Sequence, residues 1–316
     1  LQDKPLRVEA NPIHQWKSVH KLANTIAKQL SSLGFYETIN NSLASPDYTA
    51  DFHSSVNLVN PLGQEFSKMR QSLIHPALEV VAFNLNRQNK NLKLYEFGNV
   101  YGKKEDEFIE EKRLSLSLCG AVFESFWGQK EEIDPFFYFK GLLTDMFKTL
   151  GFYQLEFEAV DSPQFDMAFA LIHHKQVYGN FGLVAAELNN QFGIDQDVYV
   201  AELNWDKLTQ NAFSKNIHSE EIAKFPFVRR DFALLVDQEV AFEELQMVAF
   251  KTERKILSAV TLFDVYEGKN LPKGKKSYGI SFTFQDKNKT LTDKQVDKIM
   301  DKLLKNFKEG FQAELR

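Results

Sequence analysis

Sequence periodicity predicts an α+β fold in two parts: an antiparallel sheet flanked by helices, then a ferredoxin-like α/β sandwich of the split βαβ kind. Three observations carry this reading. Helical repeats are few and are separated by runs of short alternating segments joined by turn residues, which indicates an antiparallel sheet and not a doubly wound parallel one. From Asp231 onward the order strand, helix, strand, strand, helix is compact, and the segment 313–316 can close the sheet. At 316 residues the chain favours two domains over one.

The first helix is expected over 15–33. Trp16, Val19, Leu22, Ala23, Ile26, Ala27, Leu30 and Leu33 recur every three or four positions, and Gly34 supplies the stop. Extended segments follow at 35–42 and 56–59, the second ended by Asn60-Pro61. A second helix is expected over 66–86, with Pro76 imposing a break or a fresh start. Strands come next at 92–101 and around Leu114, Leu116 and Leu118, which alternate with Ser115, Ser117 and Cys119. The charged stretch 103–112 reads as the hairpin tip between them. A helix over 137–150 closes on Gly151, and strands are expected at 153–160, 167–174, 177–186 and 198–203. Residues 208–222 lose periodicity and gather Gln, Asn, Ser and Lys, which divides the chain into a core at 1–207, a linker, and a last domain at 223–316. In that domain strands are expected at 231–237, 260–266 and 277–285, and helices at 242–257 and 292–311. Thr290 or Thr292 caps the last helix, with Asp293 suited to its dipole.

Composition narrows the class. Apolar residues make up 43% and charged residues 26%, which excludes disordered, fibrous and low-complexity chains. No apolar run approaches the roughly 18 residues of a membrane span, and no basic-then-apolar leader opens the chain. A cytoplasmic location without membrane contact is the expectation. Leu1 in place of Met suggests a piece of something longer. Cys119 is the single cysteine, which excludes an intrachain disulfide or a thiolate metal cluster. The 29 phenylalanines point to aromatic cores in strand-rich layers. Charge is uneven: 224–316 carries 18 basic and 14 acidic residues, against 20 and 29 in 1–223. A basic segment on an acidic body fits a polyanion-binding module, although solvated lysines on an ordinary helix give the same count.

Most catalytic motifs are absent. The 15 glycines never fall two apart, so no G-x-G phosphate cradle exists, and Gly274-Lys275-Lys276-Ser277 lacks the leading Gly of a P-loop. His173-His174 sit adjacent on a strand and are expected on opposite faces, unable to chelate one ion. Gly179-Asn180-Phe181-Gly182 is expected to be a tight turn between strand residues. The positive signals lie in the last domain. Arg229 and Arg230 precede a strand and suit phosphate through their planar donor forks. Asp264 and Tyr266 share one strand face, where a ring can stack a base and a carboxylate can read its edge. Lys275, Lys276 and Ser277 begin the neighbouring strand and could hold the adjacent phosphate. A half-buried Tyr beside a solvated basic hairpin explains the same residues equally well.

Several ordered motifs resemble the C-terminal half of the β subunits of bacterial phenylalanyl-tRNA synthetases. In the last domain they are 225–237 (Phe-Pro-Phe-Val-Arg-Arg-Asp-Phe-Ala-Leu-Leu-Val-Asp), 263–268 (Phe-Asp-Val-Tyr-Glu-Gly), 271–277 (Leu-Pro-Lys-Gly-Lys-Lys-Ser), 290–293 and 314–316. Earlier matching segments are 34–37, 60–62, 69–73 (Met-Arg-Gln-Ser-Leu), 84–87 and 94–98 (Leu-Tyr-Glu-Phe-Gly).

The resemblance implies a class II synthetase-like core that is not catalytic, followed by a ferredoxin-fold anticodon-binding domain. It implies no cofactor in this fragment, with ATP and Mg2+ used by the holoenzyme. The implied partners are an α subunit, in an (αβ)2 heterotetramer, and tRNA-Phe. By the same resemblance Tyr266 stacks the first anticodon base, Asp264 with Ser277 reads its edge, and Ala233 lines a pocket for another base. Arg229, Arg230, Lys275 and Lys276 are backbone contacts of weaker standing. The residues agree on catalytic silence. Class II chemistry needs an Arg after the second-motif strand, where Tyr101 is followed by Gly102-Lys103-Lys104, and a Gly-rich third motif that the glycine spacing lacks. The alternatives are a stand-alone RNA-binding or protein-interaction module outside aminoacylation, and an independent ATP-using enzyme. An apolar surface for the partner is expected on the helices at 15–33 and 66–86.

Overall fold

The first amphipathic repeat folds as α1, Val19–Ser32, with Ile26 and Leu30 fully buried and Gly34 at φ +85° ending it. The computed structural model describes residues 19–48, 53–123, 126–128, 133–212, 223–268 and 271–316, so the expected first turn before Val19 lies outside the described residues. The chain divides into two units, Leu1–Asn216 and Ile217–Arg316.

After α1 the first unit runs β1 (Tyr36–Glu37), β2 (Leu43–Ala44), β3 (Lys68–Met69), α2 (Ile74–Leu85), β4 (Leu92–Lys104), β5 (Glu107–Cys119), α3 (Pro135–Thr149), β6 (Glu156–Val160), β7 (Phe165–His173), β8 (Gln176–Val184), α4 (Ala186–Gln191), β9 (Val198–Asn204) and α5 (Trp205–Asn211). Seven strands form one sheet in the order β1-β4-β5-β9-β8-β7-β6, antiparallel throughout except for the parallel pair β1–β4. Side-chain alternation gives the sheet two apolar faces. Leu114, Leu116, Phe181 and Leu203 pack with α1, α3 and α5 on one side, and Leu92, Val198 and Val200 pack with α2 and α4 on the other. Asp134 caps α3 by accepting from the Phe136 and Phe137 amides.

Several expectations are corrected. The second helix does not begin at 66, because 64–66 is a single 3-10 turn and 68–69 is strand. It starts at Ile74, which puts Pro76 in the first turn, where its missing N–H is not needed. The Ser72 hydroxyl accepts from the Ile74 amide, and Glu202 of β9 accepts from the Leu73 amide at 2.5 Å. The strand expected at 56–59 is reduced to one bridge, Asn57 to Lys68. The β4–β5 hairpin turns over only Glu105 and Asp106, so most of the stretch read as a tip is ladder. The 208–211 part of the aperiodic stretch is helical, as the end of α5, and 213–222 lies outside the described residues. His174 is not a strand residue. With Lys175 it adopts positive φ in a two-residue hairpin turn, which brings the two histidine rings to 4.1 Å instead of opposite faces. α1 and α2 bury most of their apolar residues on the sheet, with Phe83 of α2 left 55% exposed, and the most exposed apolar groups among the described residues lie elsewhere, at Ile39, Val59, Leu62 and Trp127.

Gly179 and Gly182 form no turn. Both lie inside β8, because the strands beside them come too close for a side chain. A Cβ on Gly182 would sit 1.9 Å from the Met167 carbonyl oxygen, a backbone atom. Gly182→Ala is expected to lower stability by about 1–3 kcal/mol through overpacking. An unchanged urea midpoint would contradict this.

The segments 69–73 and 94–98 meet in space. Arg70 Nη1 lies 2.7 Å from Glu96 Oε1, with both side chains about 95% buried, and Arg70 Nε donates to the Asn99 carbonyl at 2.9 Å. Asn40 Nδ2 donates to the other Glu96 oxygen at 2.7 Å. Gly98 has no side chain because a Cβ there would fall 2.3 Å from Arg70 Nη2.

The second unit runs β10 (Val228–Asp237), α6 (Phe242–Thr252), β11 (Leu257–Tyr266), β12 (Lys275–Phe284), α7 (Asp293–Phe311) and β13 (Glu314–Leu315). The sheet order is β11-β12-β10-β13 with every pair antiparallel, which is the ferredoxin-like arrangement. Leu234, Val236, Ile280, Phe282 and Phe284 face α6 and α7, which bury Leu245, Ala249, Val296, Met300, Leu303 and Phe307 against them. α6 ends at Thr252, five residues short of expectation, because Leu257 is already paired in β11.

Candidate nucleic-acid interface

Both helices of the second unit pack on one side of its sheet, so the other side carries the alternate residues of each strand. Register sets two adjacent rows there. One holds Ala233, Gly279 and Asp264, and the next holds Leu235, Ser277 and Tyr266. Asp264 and Ala233 are exposed, Tyr266 is half-buried, and Ser277 is a buried floor residue at 4% exposure. The four residues expected at the anticodon surface thus share one open sheet face.

A bulge between Leu262 and Asp264 shapes this face, leaving Phe263 as an extra residue opposite Gly279. A Cβ on Gly279 would meet the Phe263 ring at 2.8 Å and the Asp264 Cβ at 2.9 Å, so this glycine makes room for both. Gly268 works the same way for Tyr266: a Cβ there would lie 2.3 Å from the Tyr266 hydroxyl. The Arg316 guanidinium carbon lies 4.8 Å from the centre of the Tyr266 ring. Phe263, Gly279 and Arg316 were missed by sequence reasoning.

The basic residues separate. Arg229 lies on the open side, 3.1 Å from Asp231 Oδ1 and 5.9 Å from the Phe263 ring centre. The Ser281 hydroxyl, and then Arg229, hold the Asp231 carboxyl below the usual carboxylate range. Arg230 is turned to the helix side, 2.5 Å from Asp293 and 3.8 Å from Asp297 of α7, and the structure does not bring it to the others. Lys275 lies 3.4 Å from Asp237 and borders a shallow depression of about 530 Å3 with Glu267, Gly268 and Leu271. Lys276 sits over the helix-side Tyr278 ring at 4.8 Å, away from Ser277.

The first unit has a cavity of about 780 Å3 beside α2. Asp47, Glu111, Asp161, Glu187 and Glu202 line it, against the cations Arg113 and Lys207. Arg113 is held by Glu202 at 2.6 Å and Glu111 at 2.8 Å. At its edge His75 stacks on Tyr48, ring centres 4.8 Å apart and nearly parallel. Burial pushes the His75 imidazole down to about 4, with Lys68 adding to the shift and Glu202 opposing it. No group of three or more His, Cys, Asp or Glu among the described residues could hold a metal ion. No described helix is long and apolar enough to cross a membrane.

An open sheet face carrying Tyr266, Asp264, Arg229 and Arg316, on a split βαβ sandwich, places the second unit in the ferredoxin-like class. The family model described as "Ferredoxin-fold anticodon binding domain" matches 223–316, and that of "Phenylalanyl tRNA synthetase beta chain CLM domain" matches 7–205. The chain belongs to the phenylalanyl-tRNA synthetase β-chain family. It is 40% identical over 315 residues to a phenylalanine–tRNA ligase β subunit of Bacteroides fragilis, covering 94% of this chain and 38% of that one. The β subunit of Clostridium acetobutylicum is 32% identical, covering 98% of this chain and 39% of that one. The chain therefore spans less than two-fifths of the length of these curated relatives. Among solved structures, pyrrolysyl-tRNA synthetase from Desulfitobacterium hafniense aligns with a TM-score of 0.49 and 11% identity, over 63% of this chain and 74% of that one.

Proposed function

We propose that this chain is the part of a phenylalanine–tRNA ligase β subunit that scaffolds a catalytic α subunit and reads the anticodon of tRNA-Phe. The observation that carries the reading is the paired rows on the open sheet face, Ala233–Gly279–Asp264 beside Leu235–Ser277–Tyr266. Tyr266 would stack the first anticodon base, Asp264 would accept from its edge, Ser277 would form the floor, and Ala233 would leave room for a second base. Arg229 and Lys275, on or beside the open side, would meet backbone phosphates, whereas Arg230 and Lys276 lie toward the helix side.

The core fits ATP and Mg2+ poorly. Five carboxylates against two cations around its cavity oppose a polyphosphate, and Arg113, the arginine that lines it, is already held by two glutamates. We assign ATP and Mg2+ to the α subunit of an (αβ)2 assembly working in the cytoplasm. The exposed Ile39, Val59, Leu62 and Trp127 supply apolar surface for such a partner.

Tyr266→Ala is expected to weaken binding of a tRNA-Phe anticodon stem-loop by about 1–3 kcal/mol. Affinity should also fall steeply as salt rises, because phosphate contacts release counterions. An unaltered binding curve for the variant sinks the stacking role. At the level of the whole protein, the full-length β subunit mixed with α should charge tRNA-Phe, whereas a stand-alone RNA-binding module gives no charging. ATP–pyrophosphate exchange by the isolated chain would establish the independent enzyme instead.

A further inference from the structure

The Arg316 amide donates to the Ala233 carbonyl at 2.9 Å, which sets this residue in line with the Ala233–Gly279–Asp264 row and on the open face. Its guanidinium nevertheless lies over the Tyr266 ring, on the far edge strand of the sheet. Between the two stand β10 and β12, which present the small Ala233, Gly279 and Ser277 there, with Leu235 beside them. A large residue in place of any of the small ones would block the reach. The floor is therefore low where a planar group would lie, and a planar cation closes over it. A guanidinium stacks on aromatic faces and sheds water more readily than an ammonium, so it can exchange a tyrosine face for that of a base.

We propose that Arg316 is the upper jaw of a two-sided base clamp, with Tyr266 as the lower jaw. This rests on the anticodon reading given above. In the free protein the guanidinium covers the ring. When a base enters, Arg316 lifts and stacks on the face of the base turned away from Tyr266. A base held between two planes is recognised as a plane, and the contribution of Arg316 depends on the base being present.

The test uses this chain and two anticodon stem-loop RNAs, one natural and one abasic at the first anticodon position. Arg316→Ala should weaken binding of the natural loop about two- to fivefold, the range of an exposed cation–π contact, and change binding of the abasic loop far less. Arg316→Lys keeps the charge but not the plane and should stay close to the Ala variant on the natural loop. In a Tyr266→Ala background the Arg316→Ala change should have no further base-dependent effect. Equal loss on both loops would make Arg316 a phosphate contact only and overturn the clamp. Tighter binding by Arg316→Ala would make it an occluding lid and also overturn the clamp, as would no change. Wild-type protein that fails to distinguish the two loops defeats the anticodon reading itself. Wild-type discrimination with an indifferent Arg316 defeats the clamp alone.

Discussion

Arg70→Met is expected to destabilise the first unit by about 3–5 kcal/mol, because it leaves the Glu96 carboxylate buried without its cation. Methionine fills much of the arginine's volume, so the loss is electrostatic and not a cavity effect. Among the described residues Glu96 keeps only Asn40, whose side-chain amide donates to one oxygen and whose backbone N–H reaches the other at 3.3 Å. The carbonyl of Asn99 loses the Arg70 Nε–H as well. Glu96→Gln in the same protein removes the stranded charge, and the double variant Arg70→Met/Glu96→Gln should recover most of the loss. Urea unfolding of the four proteins closes the cycle. Additive losses in the double variant would show that the two groups do not act as a pair.

His75 makes stability depend on pH. Its folded-state value of about 4 lies below the ordinary 6.5, and the main cause is burial. The neutral ring is the folded form, so the unfolded chain takes up a proton first as pH falls. The His75 contribution is fully present above about pH 6.5 and drains away as pH drops to about 4. Over that window the loss is about 3 kcal/mol, since every pH unit separating the folded and unfolded values is worth about 1.4 kcal/mol. Below about pH 4 both states are protonated and the slope from this residue ends. His75→Phe keeps a ring against Tyr48 and cannot titrate. The stability difference between wild type and variant should shrink by that amount between pH 7 and pH 4 if the imidazole is responsible. Parallel pH profiles for the two proteins would exclude it.

Local chemistry made much of this molecule readable. Apolar repeats located α1, α3 and α7, and period-two alternation placed Asp264 and Tyr266 on one side of their strand before any pairing was known. What stayed hidden depends on partners distant in sequence. The extra residue at Phe263 is visible only once β11 is laid against β12. Arg316 meets Tyr266 across three strand boundaries that no local pattern encodes. Arg230 looks identical to Arg229 in the sequence, but alternation turns it toward Asp293 and Asp297. The start of α2 at Ile74 depends on Glu202, more than a hundred residues away. Gly182 was read as a turn because glycine has two uses, and only the position of the Met167 carbonyl reveals the second.

The second sheet leaves part of one margin unpaired. β13 pairs with β10 only at Leu234 and Leu235, so among the described residues the run before Ala233 has no strand on its outer flank. Such a margin is a template onto which another copy's strand can grow. This stretch carries Arg229, Arg230 and Asp231 in succession, and two copies docking margin to margin would have to crowd those guanidinium groups together. Charge along this margin thereby discourages runaway self-assembly.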